Sequence, residues 1–433
     1  MTVLSFVNLA AVVLGLSALF GYVNHRWLGL PHTIGLVIMA LFASVGAIVL
    51  DAVMPSLGFK SAIAGRLAEI DFYEVLMQGM LSFLLFAGAL HVDLSDLANR
   101  KWAIGLMATF GVILSTALVG ATTYYLLGAL GLAVPFIWCL VFGALISPTD
   151  PVAVLGILKV VPVPDTLKAK IAGESLFNDG VGVVVFTILV AIAMSGQGSG
   201  AGEEIGALDV AKLFVMEALG GAVLGFALGW VAFRLLKSID EHNLEVLITL
   251  ALVFVTTSIA LALHTSAPIA VVVAGLLIGN HGTQFAMSET TREHVHKFWS
   301  LLDEILNSVL FLIIGFEVIA LAFDADWIIA ALALIPVVLA ARTVSVALPL
   351  SFLKGLGREL TKGAVPVLVW GGLRGGISVA LVLSLPPIAE KDLLLTITYA
   401  IVIFSIVVQG LTVAQVVKRT VPVEDGATSS GGH

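Results

Sequence analysis

One short polar segment of the chain reads Gly173-Glu174-Ser175-Leu176-Phe177-Asn178-Asp179-Gly180, and it continues directly into the apolar run Val181-Gly182-Val183-Val184-Val185-Phe186-Thr187-Ile188-Leu189-Val190. Only a protein core or a bilayer can receive such a run, so the polar groups beside it need a physical reason. On a helix, Ser175 and Asp179 share one face, while Glu174 and Asn178 share the neighbouring face about 100° away. One face can therefore offer oxygen atoms to a cation while the next holds supporting groups.

The composition of the whole chain agrees with a bilayer as its surroundings. The 433 residues are 59% hydrophobic and 12% charged, with a mean hydropathy of +1.10, whereas soluble domains carry about 25% charged residues. The chain is therefore predicted to be an integral membrane protein. Its net charge of -8 argues against nucleic acid as a partner, and its single cysteine, Cys139, excludes an intrachain disulfide.

Thirteen apolar segments are long enough to cross a bilayer or nearly so. They lie near residues 3–22, 31–50, 72–90, 102–127, 135–159, 172–194, 208–233, 244–263, 267–281, 298–323, 327–353, 364–385 and 392–416. The loops between them are too short to form a soluble domain. We therefore expect an all-α protein in which residues 1–433 form one membrane unit, with residues 424–433 as a disordered Gly/Ser-rich tail.

The distribution of basic residues predicts the orientation of these helices. Fifteen of the 21 lysines and arginines fall in the odd-numbered loops and the C-terminal tail, and only four fall in the loops of the other side. Because basic residues stay preferentially in the cytoplasm, the N-terminus is expected outside and the C-terminus inside.

The fifth segment is interrupted by Ser147-Pro148-Thr149-Asp150-Pro151. Each proline removes an N–H donor and disfavours helix in the residue before it, so the helix is expected to open at mid-membrane. Open backbone is tolerated there only if it is buried in protein or lines a cavity. The carbonyl of Thr149 and the carboxylate of Asp150 would then suit a small cation. A simple proline kink, with Asp150 paired to a base, is the alternative.

The twelfth segment contains a second interruption, Trp370-Gly371-Gly372-Leu373-Arg374-Gly375-Gly376-Ile377-Ser378. Its four glycines weaken the helix, and Arg374 places a permanent cation at membrane depth. The fifth and twelfth segments cross the membrane in opposite directions because they are seven crossings apart. Two interrupted helices in such positions are typical of secondary transporters built from inverted repeats.

Four charged residues within the membrane require partners or a function, since each costs roughly 2.5–3.5 kcal/mol at the bilayer centre. We expect Glu174 to form an ion pair with Arg374. Asp150 and Asp179 then remain as the functional carboxylates. Three further acids, Asp303, Glu304 and Glu317, lie nearer helix ends and are expected at the interface.

A fourth motif reads Phe298-Trp-Ser-Leu-Leu-Asp-Glu-Ile-Leu-Asn-Ser-Val-Leu-Phe-Leu-Ile-Ile-Gly315. This motif and those at 147–151, 173–180 and 370–378 resemble motifs of the monovalent cation:proton antiporter-1 family, especially its prokaryotic NhaP-type sodium/proton antiporters. The resemblance covers about residues 70 to 415. It implies thirteen helices, a core domain around 72–194 and 298–416 with two crossed, discontinuous helices, and a dimerisation domain formed by the remainder. It also implies a homodimer and an elevator-like cycle of alternating access.

The resemblance also implies roles for individual residues. Asp179 would carry the ion and the proton in turn, and a Na⁺ ion would be held by Asp179, the Ser175 hydroxyl, the Thr149 carbonyl and Asp150, the last directly or through water. Glu174 and Arg374 would form a structural ion pair. Electrogenic relatives carry aspartate at position 178, whereas Asn178 cannot titrate, so electroneutral one-for-one exchange is expected. The acid that some relatives carry in the third span is absent from 83–90, which leaves the ion preference open.

The expected function is therefore exchange of Na⁺ or Li⁺ for H⁺ across a prokaryotic cell membrane, with the cation, the proton and the bilayer as partners and no cofactor. A potassium/proton antiporter on the same scaffold is the alternative within transporters. A cation channel is the alternative from another class. An enzyme is not expected, because the sequence has no evident nucleophile–base pair.

Overall fold

A computed structural model describes residues 3–54, 74–150, 154, 163–195, 207–321, 324–357 and 362–421. Within these ranges every regular element is a helix, and the β-type pairing is a single isolated bridge between Asp150 and Leu373. Pro151 and the tail 424–433 lie outside the described residues. The all-α prediction is confirmed.

Among the residues that the structure describes, fourteen helices carry the fold. In chain order they are α1 Val3–Val23, α2 His32–Val53, α3 Leu81–Leu90, α4 Lys101–Ala129, α5 Phe136–Ile146, α6 Asp165–Ser195, α7 Ala207–Leu236, α8 His242–Ala262, α9 Ala267–Phe285, α10 Glu289–Glu317, α11 Ala325–Gly355, α12 Ala364–Trp370, α13 Gly376–Leu383 and α14 Lys391–Thr420. A π-helical turn, Glu74–Met80, precedes α3, and the short helix Leu94–Asn99 follows it.

Many of these helices can span a membrane. In the described part of the chain, nine helices from α2 onward are long and apolar enough to cross a bilayer, and α3 and α5 are shorter apolar helices. Each of the thirteen predicted segments overlaps at least one of the helices above. The protein is therefore a multi-span membrane protein, while the number of crossings and the inverted repeats stay predictions.

Both predicted interruptions are present. Helix α5 ends at Ile146, immediately before Ser147-Pro148, and α12 and α13 are separated by the non-helical residues 371–375. We call the non-helical residues 147–150 and 371–375 the first and second open segments. They contact each other, because the Asp150 N–H donates to the Leu373 carbonyl at 2.8 Å. Each interruption therefore satisfies part of the backbone that the other leaves without an intrahelical partner.

Small residues allow the open segments to approach their neighbours. A side chain at Gly182 of α6 would collide with the Pro148 ring, and one at Gly375 would collide with the Asp150 carboxylate. Helix α5 is buried among α4, α6 and α13, with Trp138 and Phe142 fully buried. The site is consequently held at the centre of the described helices by close packing on several sides.

Candidate functional site

A cavity of about 830 Å³ leads from the protein surface to the polar segment of α6. Its lining includes the exposed residues His91, Asp93 and Ser300 and the buried residues Thr149 and Asp179. Because the surface end is exposed and the inner end is buried, water and small ions can reach Asp179 from one side of the molecule.

Thr149 is the centre of a closed hydrogen-bond network between the first open segment and α6. The Asn178 Nδ2 donates to Thr149 Oγ1 at 2.8 Å, and the Thr149 N–H donates to Asn178 Oδ1 at 3.3 Å. The hydroxyls of Thr149 and Ser175 lie 2.9 Å apart, and the Ser175 hydroxyl also donates to the Thr149 carbonyl. The helix spacing of Ser175 and Asn178 thus allows both side chains to hold one threonine.

Asp179 is the carboxylate at the buried end of the cavity. Its side chain is 4% exposed, and its Oδ1 atom has no hydrogen-bond partner in the described part of the chain. A buried carboxylate oxygen without a hydrogen-bond donor is costly when charged, and a proton or a cation would offset that cost. Asp179 therefore presents a buried and incompletely hydrogen-bonded carboxylate at the inner end of the cavity.

Asp150 lies on the wall of the same cavity, next to Thr149. Its backbone is fixed by the bridge to Leu373, and Gly375 packs against its carboxylate. Of the sequence-predicted residues, Thr149, Asp150 and Asp179 therefore line the cavity, and Ser175 and Asn178 are bonded to Thr149 beside it.

The ion pair predicted between Glu174 and Arg374 is wrong in its basic partner. Glu174 pairs with Arg342 of α11 in a bidentate arrangement, in which Arg342 Nη2 donates to Glu174 Oε2 at 2.9 Å and Arg342 Nη1 donates to Oε1. Arg342 Nη2 also donates to the Leu368 carbonyl at 3.0 Å. Counting charges along the sequence identified both buried arginines but could not decide which one faces α6.

Arg374 satisfies the open backbone instead. Its guanidinium Nη1 donates to the carbonyls of Ser147 and Pro148, the latter at 2.9 Å. Helix α5 ends at Ile146, just before these two carbonyls, and the residue four positions after Ser147 is a proline, which has no N–H to donate. Arg374 is 2% exposed, and among the described residues its guanidinium binds these backbone carbonyls rather than a carboxylate.

The structure also brings into the cavity Asp303 and Glu304, which the sequence interpretation placed at the interface, together with two polar residues that it did not single out. Ser300, Asp303, Glu304 and Asn307 of α10 all line it. Their spacing of three, four and seven residues is that of one helix face. This polar stripe within the mostly apolar residues 298–315 is the signal that could have identified them.

Comparison with known proteins agrees with this geometry. Residues 15–419 match the family model described as sodium/hydrogen exchanger, transmembrane. The chain is 47% identical over 432 residues to the Na⁺/H⁺ antiporter NhaP of Pseudomonas aeruginosa, which covers 98% of this chain and all of that protein. It is 36% identical over 354 residues to the Na⁺/H⁺ antiporter NhaH of Halobacillus dabanensis, covering 80% of this chain and 83% of that one.

The fold is similar to a solved structure of a more distant protein. The sodium proton antiporter MjNhaP1 of Methanocaldococcus jannaschii superposes with a TM-score of 0.72 at 18% sequence identity, covering 96% of this chain and 98% of that one. This likeness concerns the fold alone, whereas the family follows from the sequence matches above. The chain belongs to the sodium/hydrogen exchanger family of transmembrane proteins.

Proposed function

We propose that this protein is a secondary active transporter that exchanges Na⁺ or Li⁺ for H⁺, with Asp179 as the shared carrier. The observation that carries the proposal is the buried Oδ1 atom of Asp179, which lacks a hydrogen-bond partner within the described residues and lies at the end of a cavity. Membership of the exchanger family and similarity to proteins named Na⁺/H⁺ antiporters support the choice of ions.

Exchange follows from competition for one carboxylate. When Asp179 loses its proton, the resulting charge favours a cation, and when a proton returns the cation is released. Asp150 on the cavity wall and the oxygens of Thr149 and Ser175 would complete the coordination of the dehydrated ion, because small hard cations prefer oxygen ligands. The Asn178 amide would position Thr149 rather than carry charge, since both its polar atoms contact Thr149.

Electroneutral exchange of one cation for one proton is part of this proposal. Its support is that position 178 cannot titrate, so Asp179 is the single titratable side chain among the residues 175–180. An imposed membrane potential tests it in proteoliposomes: an electroneutral exchanger should work at the same rate with and without the potential. A marked acceleration by an inside-negative potential would show that net charge crosses the membrane.

The proposed setting is a prokaryotic cell membrane, with the N-terminus outside and the C-terminus in the cytoplasm. We further propose that the protein is a homodimer, in which a core around 72–194 and 298–416 moves relative to a dimerisation domain formed by the other helices. Motion of this kind would expose Asp179 alternately to the two sides, as antiport requires.

The purified protein in proteoliposomes provides the decisive test. A pH-sensitive dye inside the vesicles should report proton movement after a pulse of Na⁺ or Li⁺, and the Asp179→Asn variant should give no response because its amide cannot cycle a proton. A response to K⁺ alone would reassign the cation. Current without coupled proton movement would indicate a channel, and a normal Na⁺ response of Asp179→Asn would remove Asp179 from its role.

A further inference from the structure

We propose that Asp303 of α10 binds the cation transiently in the cavity, before the cation reaches Asp179, and thereby determines the apparent affinity for Na⁺. This inference rests on the proposed antiport and deepens it, because it assigns a capture step to a residue outside the carrier segment. Its basis is the position of a fixed carboxylate in the wall of the cavity that ends at Asp179.

Asp303 is held in place by a buried neighbour. Asn307 Nδ2 donates to Asp303 Oδ1 at 3.0 Å and to the Asp303 carbonyl at 2.9 Å, and Asn307 is 2% exposed. A carboxylate whose orientation is already fixed loses less conformational entropy when it binds an ion than a freely rotating one. Asp303 is also half-buried, so its field is screened less by water than that of a surface acid.

The charges around Asp303 favour a cation. The cavity is lined by five carboxylates and one lysine, together with His32 and His91; the carboxylates are Asp93, Asp150, Asp179, Asp303 and Glu304, and the lysine is Lys168. A low-dielectric cleft lined mainly by one sign of charge concentrates ions of the opposite sign. The buried, unpartnered Oδ1 of Asp179 in the same cavity is an independent indication that a cation is received there.

The other acids near the surface end are less suited to this step. The Asp93 carboxylate caps the short helix that follows it by accepting from the Ser95 N–H at 2.7 Å and from the Ser95 hydroxyl. Glu304 is exposed, whereas Asp303 is half-buried one residue before it. Glu304 therefore provides a matched control, with the same charge in the same cavity but without the fixed, partly buried position.

The Asp303→Asn variant separates charge from structure, because the asparagine Oδ1 can still accept from Asn307. We expect its KM for Na⁺ to rise by about threefold to tenfold, with the maximal exchange rate within about twofold of the parent. Asp303→Glu should restore most of the affinity, and Glu304→Gln should change KM by less than about twofold. The sodium dependence of exchange in proteoliposomes measures all three, at low and high ionic strength.

Three outcomes would overturn the proposal: an unchanged KM in Asp303→Asn, a loss of maximal rate alone, or equal KM shifts in Asp303→Asn and Glu304→Gln that vanish at high ionic strength. The last would indicate only long-range attraction. If Asp303→Asn does not fold, the Asn307→Ala variant tests the proposal. It removes the hydrogen bond that fixes the Asp303 carboxylate, so we expect its KM for Na⁺ to rise. An unchanged KM would contradict the capture step. The Asp179→Asn variant in the same vesicles tests the proposed antiport independently of Asp303. A normal Na⁺ response of that variant would contradict the carrier role, whatever the KM of the Asp303 variants.

Discussion

At the scale of single residues, the buried ion pair between Glu174 and Arg342 is the feature with the largest expected effect on stability. Both side chains are almost fully buried, at 2% exposure for Glu174 and 8% for Arg342. Replacing Arg342 by Met should destabilise the protein by roughly 3–5 kcal/mol, because Glu174 would remain buried without its base. The double variant Glu174→Gln with Arg342→Met should recover much of this loss. Thermal melting in detergent measures the difference.

The same cycle with Arg374 is its control. Arg374 donates to the carbonyls of Ser147 and Pro148, so Glu174→Gln and Arg374→Met should each destabilise, with much weaker coupling than the Arg342 pair. Strong coupling of Glu174 to Arg374 and none to Arg342 would show that the pairing is the reverse of the one described here.

The hydroxyl of Thr149 permits a second test at this scale. Thr149→Val keeps the size of the side chain but removes the atom that accepts from Asn178 and contacts Ser175. We expect a loss of about 1–3 kcal/mol in stability and a raised KM for Na⁺, because the Asn178 amide would lose its hydroxyl acceptor and residue 149 would be held by its backbone contacts alone. Thr149→Ser keeps the hydroxyl and should behave nearly like the parent in melting and exchange. Equal melting temperatures and equal KM values of Thr149→Val and Thr149→Ser would show that the hydroxyl of residue 149 has no role in the site.

At the scale of helices, close packing between α6 and the first open segment holds the site together. An added Cβ at Gly182 would collide with the Pro148 ring, whereas one at Gly46 of α2 would meet nothing within 4 Å. Gly182→Ala should therefore cost about 1–3 kcal/mol through overpacking and reduce exchange, since Thr149 follows Pro148 directly. Gly46→Ala should leave both melting and exchange unchanged or slightly improve stability. An unaffected Gly182→Ala would mean that this contact is not needed for the site.

At the scale of the whole molecule, the exposed end of the cavity provides a test of the orientation in the membrane. Ser300 lies at that end, and Ala389 is exposed in the loop between α13 and α14. The distribution of basic residues predicts that Ser300 faces the cytoplasm and Ala389 the outside. A membrane-impermeant maleimide should then label Ser300→Cys in everted vesicles and Ala389→Cys in right-side-out vesicles.

The unmodified protein is the negative control for this labelling experiment. Cys139 is the single cysteine of the sequence and is fully buried, so the unmodified protein should not react. Labelling of Ser300→Cys from the outside would reverse the predicted orientation, and labelling of the unmodified protein would contradict the burial of α5.

Much of the fold and of the site was predictable because membrane helices are determined by local properties of the sequence. Long apolar runs predict α2, α6 or α14 without knowledge of their neighbours, since a bilayer requires each backbone to satisfy its own hydrogen bonds. The same rule predicts both interruptions: Pro148 removes a donor and the glycines around Arg374 weaken the helix. The polar residues from Thr149 to Asp179 stand out because charge is rare at membrane depth.

Partner choice depended on tertiary structure. Glu174 had two buried arginines available, and only the packing of α11 against the site places Arg342 at hydrogen-bond distance. The role of Arg374 required that the two open segments meet, because its acceptors are backbone carbonyls, which every residue carries and no sequence pattern marks. Asp303 was predicted at the membrane interface from its distance to the helix end. That distance carries no information about a cavity formed by several helices, so the cavity position of Asp303 could not be predicted. Local physics thus determined which groups are buried, and the arrangement of the helices decided which of them face each other.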